Sequence, residues 1–388
     1  MVHQSMKLAV LATAMCVGMA AHADQGVTKD EIVIGSLQDL SGPIAGFGKQ
    51  LKNGLLMRAE EVNEAGGING RKIKLVIEDS GYDPKKGLLG AQKLVQQDKI
   101  FAMIGTLGTP VNMASFPPMF EKNVPNLFPL AAAREMYEPL SKLKFSFAAP
   151  YYDQIRMAVK WMAKERGSKK FCAIYQDDEF GLEVFRGAEQ GLKDMNQELA
   201  EKTTFKRGAT DFSAQVAKMK SSGCDTVVLG TIIRETIGTI GTAKKMGWDP
   251  QFLGSSAAYT DLIHKLGGKA MDGLYATFST AVPYMDDPSK NVREWGARYK
   301  AKFNEEPGLF SAYAYMAFDL FYQAAKKAGP KLTTDSLANA FETTSFPRDM
   351  FGTPEMKFTK TDHLGNKRSR MGQIQSSRWV AVTDYLEN

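Results

Sequence analysis

The chain has 388 residues, of which 44% are hydrophobic and 24% are charged, so it is long enough for two domains and has an ordinary globular composition. Its net charge of +6 is spread along the sequence, and acidic residues interrupt most basic runs apart from Lys367-Arg368-Ser369-Arg370. This pattern excludes the concentrated basic face of a nucleic-acid-binding protein, and no segment after the N-terminal one is apolar for long enough to span a bilayer.

The N-terminal segment predicts a cleaved signal peptide. Lys7 provides a positive start, residues 8–21 are apolar apart from Thr13, and Ala21-His22-Ala23 is a small-x-small cleavage site. An amphipathic or buried N-terminal helix is the alternative. We therefore expect residues 1–23 to be removed and the mature protein to begin at Asp24 in the periplasm.

Strands and helices alternate from the beginning of the predicted mature chain. An apolar strand at 32–35 is followed by Leu51, Leu55, Ala59 and Val62 at helical spacing. Asp83-Pro84 is suited to cap and open the next helix. The other strands in this part are predicted at 73–77 and 101–105. Strands separated by helices of this length predict right-handed βαβ units and a parallel sheet.

The same alternation restarts after about residue 150. Helices are predicted at 153–166, 181–194, 211–221 and within 289–343, and strands at 171–175, 199–205, 226–230, 252–254, 274–278, 371–374 and 379–382. Two successive α/β units predict two lobes with a cleft between them, and ligands of such sheets lie at the carboxyl ends of the strands.

Two glycine-rich turns follow predicted strands. The turn from Ser41-Gly42-Pro43 to Gly48-Lys49 has the wrong spacing for a phosphate loop, and Gln50 replaces the hydroxyl residue that would hold magnesium. The turn Gly105-Thr106-Leu107-Gly108-Thr109 opens a helix, and this helix start is either an anion site, with Thr109 as hydroxyl donor, or a plain helix cap. We expect Pro117-Pro118 to kink or end that helix.

The sequence predicts no enzyme, cofactor or metal site. No serine lies in a G-x-S-x-G turn, and neither His264 nor His363 is spaced with cysteines or carboxylates as a metal ligand would be. Removal of Cys16 with the signal peptide leaves Cys172 and Cys224, which either form a disulfide or remain buried thiols. A nucleotide-dependent α/β enzyme and a ligand-sensing module stay as alternative functions.

Several motifs in this order are similar to those of the branched-chain amino-acid-binding (Leu/Ile/Val-binding-like) proteins of ABC importers. They are Ile32-Val33-Ile34-Gly35 with Ser41-Gly42-Pro43, Asn63-Glu64-Ala65-Gly66-Gly67-Ile68-Asn69-Gly70, Asp83-Pro84, 105–109 and 175–181. The resemblance covers nearly the whole predicted mature chain.

The resemblance implies a type I periplasmic-binding fold, with two Rossmann-like lobes joined by three hinge crossovers. It places the first lobe at 24–149 with 280–370 and the second at 150–279 with 371–388. It also implies a protein that captures a small-molecule ligand by hinge closure for a membrane permease. We further expect a monomer that binds no nucleic acid.

The resemblance also implies the site residues. In the family the ligand carboxylate is held at the helix start that Thr109 occupies in this chain. A second hydroxyl residue of the family follows the next strand. The matching segment here reads Pro129-Leu130-Ala131-Ala132, so Ala132 replaces that hydroxyl residue. Ser256 stands at the family's acidic, ammonium-binding position. Phe47, Phe180 and Ile232 stand at its cleft tyrosines, and Tyr152 is a further candidate for the lining.

These departures predict a ligand other than an amino acid. Because a buried ammonium needs a charged or fully hydrogen-bonded partner, which Ser256 cannot match, we expect a small organic carboxylate with an aromatic or apolar body and no α-ammonium. Arg134 is a candidate second charge partner or a surface arginine. A branched-chain amino acid or amide remains the alternative ligand, with Asp177 or Glu235 supplying the missing carboxylate.

Overall fold

The structure is a computed structural model that describes residues 24–387. The predicted signal peptide at residues 1–23 lies outside the described residues. Within them, no helix combines the length and the apolar character that a bilayer-spanning helix needs. The same part of the chain contains no group of His, Cys, Asp and Glu side chains arranged to hold a metal ion.

The first unit is built on a parallel sheet whose strands have the order β2-β1-β3-β4-β5. Its elements are, in chain order, β1 (Glu31–Gln38), α1 (Ala45–Glu64), β2 (Lys72–Asp79), α2 (Pro84–Gln96), β3 (Ala102–Ile104), α3 (Thr109–Glu121), β4 (Asn126–Leu127) and β5 (Lys144–Phe145). β1 pairs with β2 from Glu31 opposite Lys72 to Gln38 opposite Asp79. Because helices cover both faces of such a sheet, β1 is buried almost throughout.

The second unit contains a larger sheet with the order β14-β13-β10-β9-β8-β6-β7, and β15 also pairs with β13. Its elements are α4 (Tyr151–Arg166), β6 (Phe171–Gln176), α5 (Glu179–Lys193), β7 (Glu201–Phe205), α6 (Ser213–Ser221), β8 (Thr226–Gly230), α7 (Ile233–Lys245), β9 (Gln251–Gly254), α8 (Asp261–Gly267) and β10 (Tyr275–Phe278). The pairs formed by β6 to β10 are parallel.

The C-terminal part first returns to the first unit and then completes the second sheet. It contains α9 (Lys290–Phe303), α10 (Leu309–Ala328), α11 (Thr334–Glu342), β11 (Ser345–Phe346), β12 (Met356–Lys357), β13 (Arg368–Gln375), β14 (Arg378–Ala381) and β15 (Leu386–Glu387). α10 packs on α1, and β13 joins β10 in an antiparallel pair. The chain therefore crosses between the units three times, after β5, after β10 and before β13. The predicted α/β architecture is confirmed, whereas the lobe boundaries stay predictions.

The start of α2 follows the sequence signals, whereas the end of α3 departs from them. The Asp83 side chain accepts the backbone N–H of Lys85 and Lys86 at the start of α2, as its position before Pro84 predicts. Pro117-Pro118 do not end α3, because the helix continues to Glu121 with both prolines inside it. The other alternative, a kink at these prolines, stays a prediction, since a proline inside a helix removes a backbone donor and sets its ring against the carbonyl four residues earlier.

Cys172 and Cys224 are joined by a disulfide in the structure, with a Cα–Cα distance of 5.9 Å. Both residues are buried near the starts of neighbouring parallel strands, since Cys172 is in β6 and Cys224 lies two residues before β8. We expect exported protein, denatured without reductant, to react with no thiol reagent. The same count after reduction, which should give two thiols, is the control, and two free thiols before reduction would contradict the disulfide.

Candidate functional site

A cavity lies between the two units where the carboxyl ends of their parallel strands face each other. It measures about 550 Å³ when the space open to solvent at its mouth is included. Its lining comes from the segments that follow β1 to β5, β6, β8 and β9, and from the start of α10: Ile44, Phe47, Tyr82, Leu107, Gly108, Thr109, Pro129, Leu130, Ala131, Ala132, Phe147, Ala148, Tyr151, Phe180, Ile232, Ser256, Ala257, Phe310 and Tyr313.

The N-terminus of α3 provides the polar end of the cavity. Thr109 begins the helix and is 1% exposed, and its hydroxyl oxygen has no hydrogen-bond partner. Gly108 precedes it with φ of +93°, a left-handed conformation that glycine adopts without strain. The first backbone N–H groups of a helix lack intrahelical acceptors and lie at the positive end of its dipole. Because Pro110 has no N–H and the Gly108 N–H donates to the Leu130 carbonyl, the groups at this end of the cavity that can donate to an anion are the backbone N–H and the hydroxyl of Thr109.

Aromatic rings form much of the remaining wall. Phe47 stacks on Phe310 with ring centroids 3.7 Å apart and an interplanar angle of 14°. Tyr151 meets Phe180 edge to face at 5.1 Å. Flat apolar walls of this kind favour a ligand with a flat or bulky apolar body.

Tyrosine hydroxyls add neutral polar groups to the lining. Burial raises the pKa of Tyr82 well above its ordinary value and raises the pKa of Tyr151 to about 12. Both phenols therefore stay protonated and neutral at physiological pH. Among the described residues that line the cavity, none carries an Asp, Glu, Lys, Arg or His side chain.

Two carboxylates already accept the backbone N–H groups of the turn after β1. Asp39 accepts the backbone N–H of Gly42 at 2.5 Å and of Ile44 at 2.8 Å. Asp79, at the end of β2, accepts the backbone N–H of Leu40 and Gly81. Since a phosphate would have to displace these anions from the amides, the turn is a structural one, in agreement with its spacing.

The structure brings eight of the nine predicted ligand-binding residues to the cavity, namely Phe47, Thr109, Leu130, Ala131, Ala132, Phe180, Ile232 and Ser256. That they bind a ligand stays a prediction. Tyr152 does not line the cavity; the preceding residue, Tyr151, does.

Arg134 also points elsewhere. Its guanidinium lies 4.1 Å from the ring centroid of Tyr152 and donates to Glu183, whose side chain is 1% exposed. Its charge is thus neutralised within the protein. This geometry corrects the prediction that Arg134 is a charge partner for the ligand.

Sequence reasoning missed several lining residues. Tyr82 lies three residues after the end of β2, so the rule that sites lie at the carboxyl ends of strands could have identified it. Phe310 and Tyr313 begin α10, far along the chain, and no local signal marks them. Gln154, which does not line the cavity but supports its lining, was also missed: it is buried in α4, and its side-chain oxygen accepts the backbone N–H of Ser256 at 2.9 Å.

The alternative carboxylates lie outside the lining. Asp177 is bound to Lys206 at the surface. Glu235 is 3% exposed, lies three residues beyond Ile232, and has one carboxylate oxygen without a partner. Burial raises the pKa of Glu235, so its charged form is disfavoured in this structure.

Comparisons with known proteins agree with this geometry. A family model described as periplasmic binding protein matches residues 31–378. The leucine-, isoleucine-, valine-, threonine- and alanine-binding protein of Pseudomonas aeruginosa is 28% identical over 341 residues, which is 87% of this chain and 90% of that protein.

Two solved structures share the fold. A branched chain amino acid ABC transporter from Thermus thermophilus with bound valine superimposes with a TM-score of 0.83 at 17% identity, covering 93% of this chain and 98% of that one. A fatty acid ABC transporter substrate-binding protein from Thermomonospora curvata gives a TM-score of 0.84 at 23% identity and covers 94% of each chain.

Proposed function

The chain belongs to the periplasmic binding protein family and has its type I fold, and from this premise we propose that it is the solute-binding protein of an ABC importer. Family membership confirms the prediction of a binding protein rather than an enzyme. We propose further that its lobes, 24–149 with 280–370 and 150–279 with 371–388, close as a monomer around the ligand and present it to a membrane permease.

The proposed ligand is a small organic carboxylate with an aromatic or apolar body and no α-ammonium group. The observation that carries this proposal is the unpartnered hydroxyl of Thr109 at the start of α3, in a cavity whose lining is mainly apolar and aromatic and contains no charged side chain. A carboxylate there would accept the backbone N–H and the hydroxyl of Thr109, and its charge would lie at the positive end of the helix dipole.

The remaining lining of the cavity offers no counter-charge for an ammonium group. Ser256 supplies only a hydroxyl, and no acidic side chain lines the cavity among the described residues. Desolvating an unpaired ammonium costs several kcal/mol, and the lining supplies only neutral hydroxyls and aromatic rings to offset this cost. A deaminated acid avoids this cost.

A branched-chain amino acid is the second candidate, favoured by the name of the Pseudomonas aeruginosa relative and by Glu235. The unpartnered oxygen of Glu235 would have to turn toward the cavity, and its carboxyl would have to ionise on binding. In that case Glu235→Gln should abolish the binding of leucine, whereas it should leave the binding of a deaminated acid unchanged.

Calorimetric titration of ligand-free protein tests the proposal. We expect benzoate-like or phenylpropanoid acids to bind and leucine, isoleucine and valine not to bind. Thr109→Val removes the hydroxyl and keeps the shape, so it should weaken binding of the acid about tenfold, as expected for a lost hydrogen bond to a charged group.

Thr239→Val is the matched control, because the Thr239 hydroxyl is also buried without a partner but lies away from the cavity. Its affinity for the acid should equal that of the unaltered protein. Micromolar binding of the amino acids, with no binding of the deaminated acids, would reject the proposed ligand class and favour the second candidate.

A further inference from the structure

Tyr82 connects the two units at the wall of the cavity. It belongs to the first unit, between β2 and α2, and lines the cavity with a side chain that is 2% exposed. Its backbone has a φ of +55°, which is rare for a residue with a bulky side chain. Its ring lies against Gly108, where a larger residue would collide with it. Tyr82 is therefore held in one orientation.

The side chains around Tyr82 belong to the second unit and are linked to one another. The Gln176 amide donates to the Tyr82 hydroxyl at 3.2 Å and to Asp178 at 2.5 Å. Arg207 donates to the same Asp178 oxygen at 2.8 Å, and its guanidinium carbon lies 5.0 Å from the centroid of the Tyr82 ring. These four contacts join Tyr82, Gln176, Asp178 and Arg207 in a closed cycle, in which only Tyr82 belongs to the first unit.

Asp178 connects this cycle of contacts to the cavity wall. Its carboxylate also caps α5 by accepting the backbone N–H of Phe180 and Gly181, and Phe180 lines the cavity. The position of Asp178, and through it that of Arg207, is thus fixed by the second unit whether or not Tyr82 is near.

We propose that Tyr82, Gln176, Asp178 and Arg207 form a latch that stabilises the closed form and sets how tightly the ligand is retained. The proposal rests on the proposed function, because it assumes that the two units open and close around a ligand. The contacts of Tyr82 with Gln176 and Arg207 exist only while the units are together, so they favour closure even without ligand. A larger closed population raises the apparent affinity in proportion.

Small-angle X-ray scattering of ligand-free protein tests the latch. Arg207→Gln removes the cation from the Tyr82 ring, and Tyr82→Phe removes only the hydroxyl contact. We expect Arg207→Gln to lower the closed-to-open ratio about fivefold, which corresponds to ~1 kcal/mol, and to increase the radius of gyration. Tyr82→Phe should have a smaller effect, and Tyr82→Ala, which removes both contacts, the largest.

Arg166→Gln is the matched control. Arg166 also lies over a tyrosine ring, at 5.4 Å from Tyr275, but both residues belong to the second unit. Its radius of gyration should equal that of the unaltered protein. Equal radii for the unaltered protein, Arg207→Gln and Tyr82→Ala would overturn the latch. Because scattering needs no ligand, failure of the acids to bind in calorimetry would reject the ligand proposal separately.

Discussion

Replacing Gly108 by alanine is expected to abolish ligand binding and to lower the free energy of unfolding by about 3 kcal/mol. Gly108 has φ of +93°, and a Cβ added there would lie 2.9 Å from Cδ2 of Tyr82 and closer still to its Cε2. The substitution therefore imposes a left-handed backbone on alanine and also displaces Tyr82 from the cavity wall. Urea denaturation measures the stability, and calorimetry with the bound acid measures the affinity.

Gly66→Ala separates the backbone strain from the collision. Gly66 has a similar φ of +98°, but nothing lies within 4 Å of the position of its added Cβ. This control should lose only the backbone contribution, about 1 kcal/mol, and should bind as the unaltered protein does. If the two variants lose equal stability and both still bind, the contact between Gly108 and Tyr82 has no part in forming the site.

Removal of the Arg134 guanidinium is the second change for which we expect a large effect. Arg134 Nε and Nη2 donate to the two oxygens of Glu183 at 3.0 Å and 2.7 Å. This pairing raises the pKa of Arg134, so the guanidinium stays charged. Because the Glu183 side chain is 1% exposed, Arg134→Met would leave a buried carboxylate without its main partner. We expect a loss of about 2 to 3 kcal/mol in the free energy of unfolding, measured by urea denaturation.

Arg186→Met provides the comparison, since Arg186 approaches the same carboxylate only to 3.9 Å and its side chain is 53% exposed. A contact of this kind contributes little, and the variant should be nearly as stable as the unaltered protein. The double variant Arg134→Met with Glu183→Met should recover part of the loss, because no buried charge is then left unpaired. A double variant that is less stable than Arg134→Met alone would contradict this explanation.

The positions of Tyr151 and Tyr152 show that sequence reasoning can assign the wrong one of two adjacent residues to a site. Both lie in the first turn of α4, where successive side chains point about 100° apart. The sequence identifies this helix and its position after a crossover, yet an error of one residue assigns the wrong ring to the cavity. Only the packing of α4 determines that Tyr151 meets Phe180 and that Tyr152 lies under Arg134.

The sequence by itself determined the features that depend on neighbouring residues. The alternation of apolar strands with amphipathic helices determined the α/β architecture, Asp83 before Pro84 determined the start of α2, and the glycine-rich turn before Thr109 determined a helix start at the end of a strand. Such signals are local, because capping and periodicity involve residues within a few positions of each other.

Only the tertiary structure decided which distant residues meet. Phe47 stacks on Phe310 across more than 260 positions of sequence, and Tyr82 reaches Gln176 and Arg207 of the other unit. The cavity is built where two sheets and a returning helix converge. The identity of its wall therefore follows from how the units pack against each other, which no local pattern in the sequence encodes.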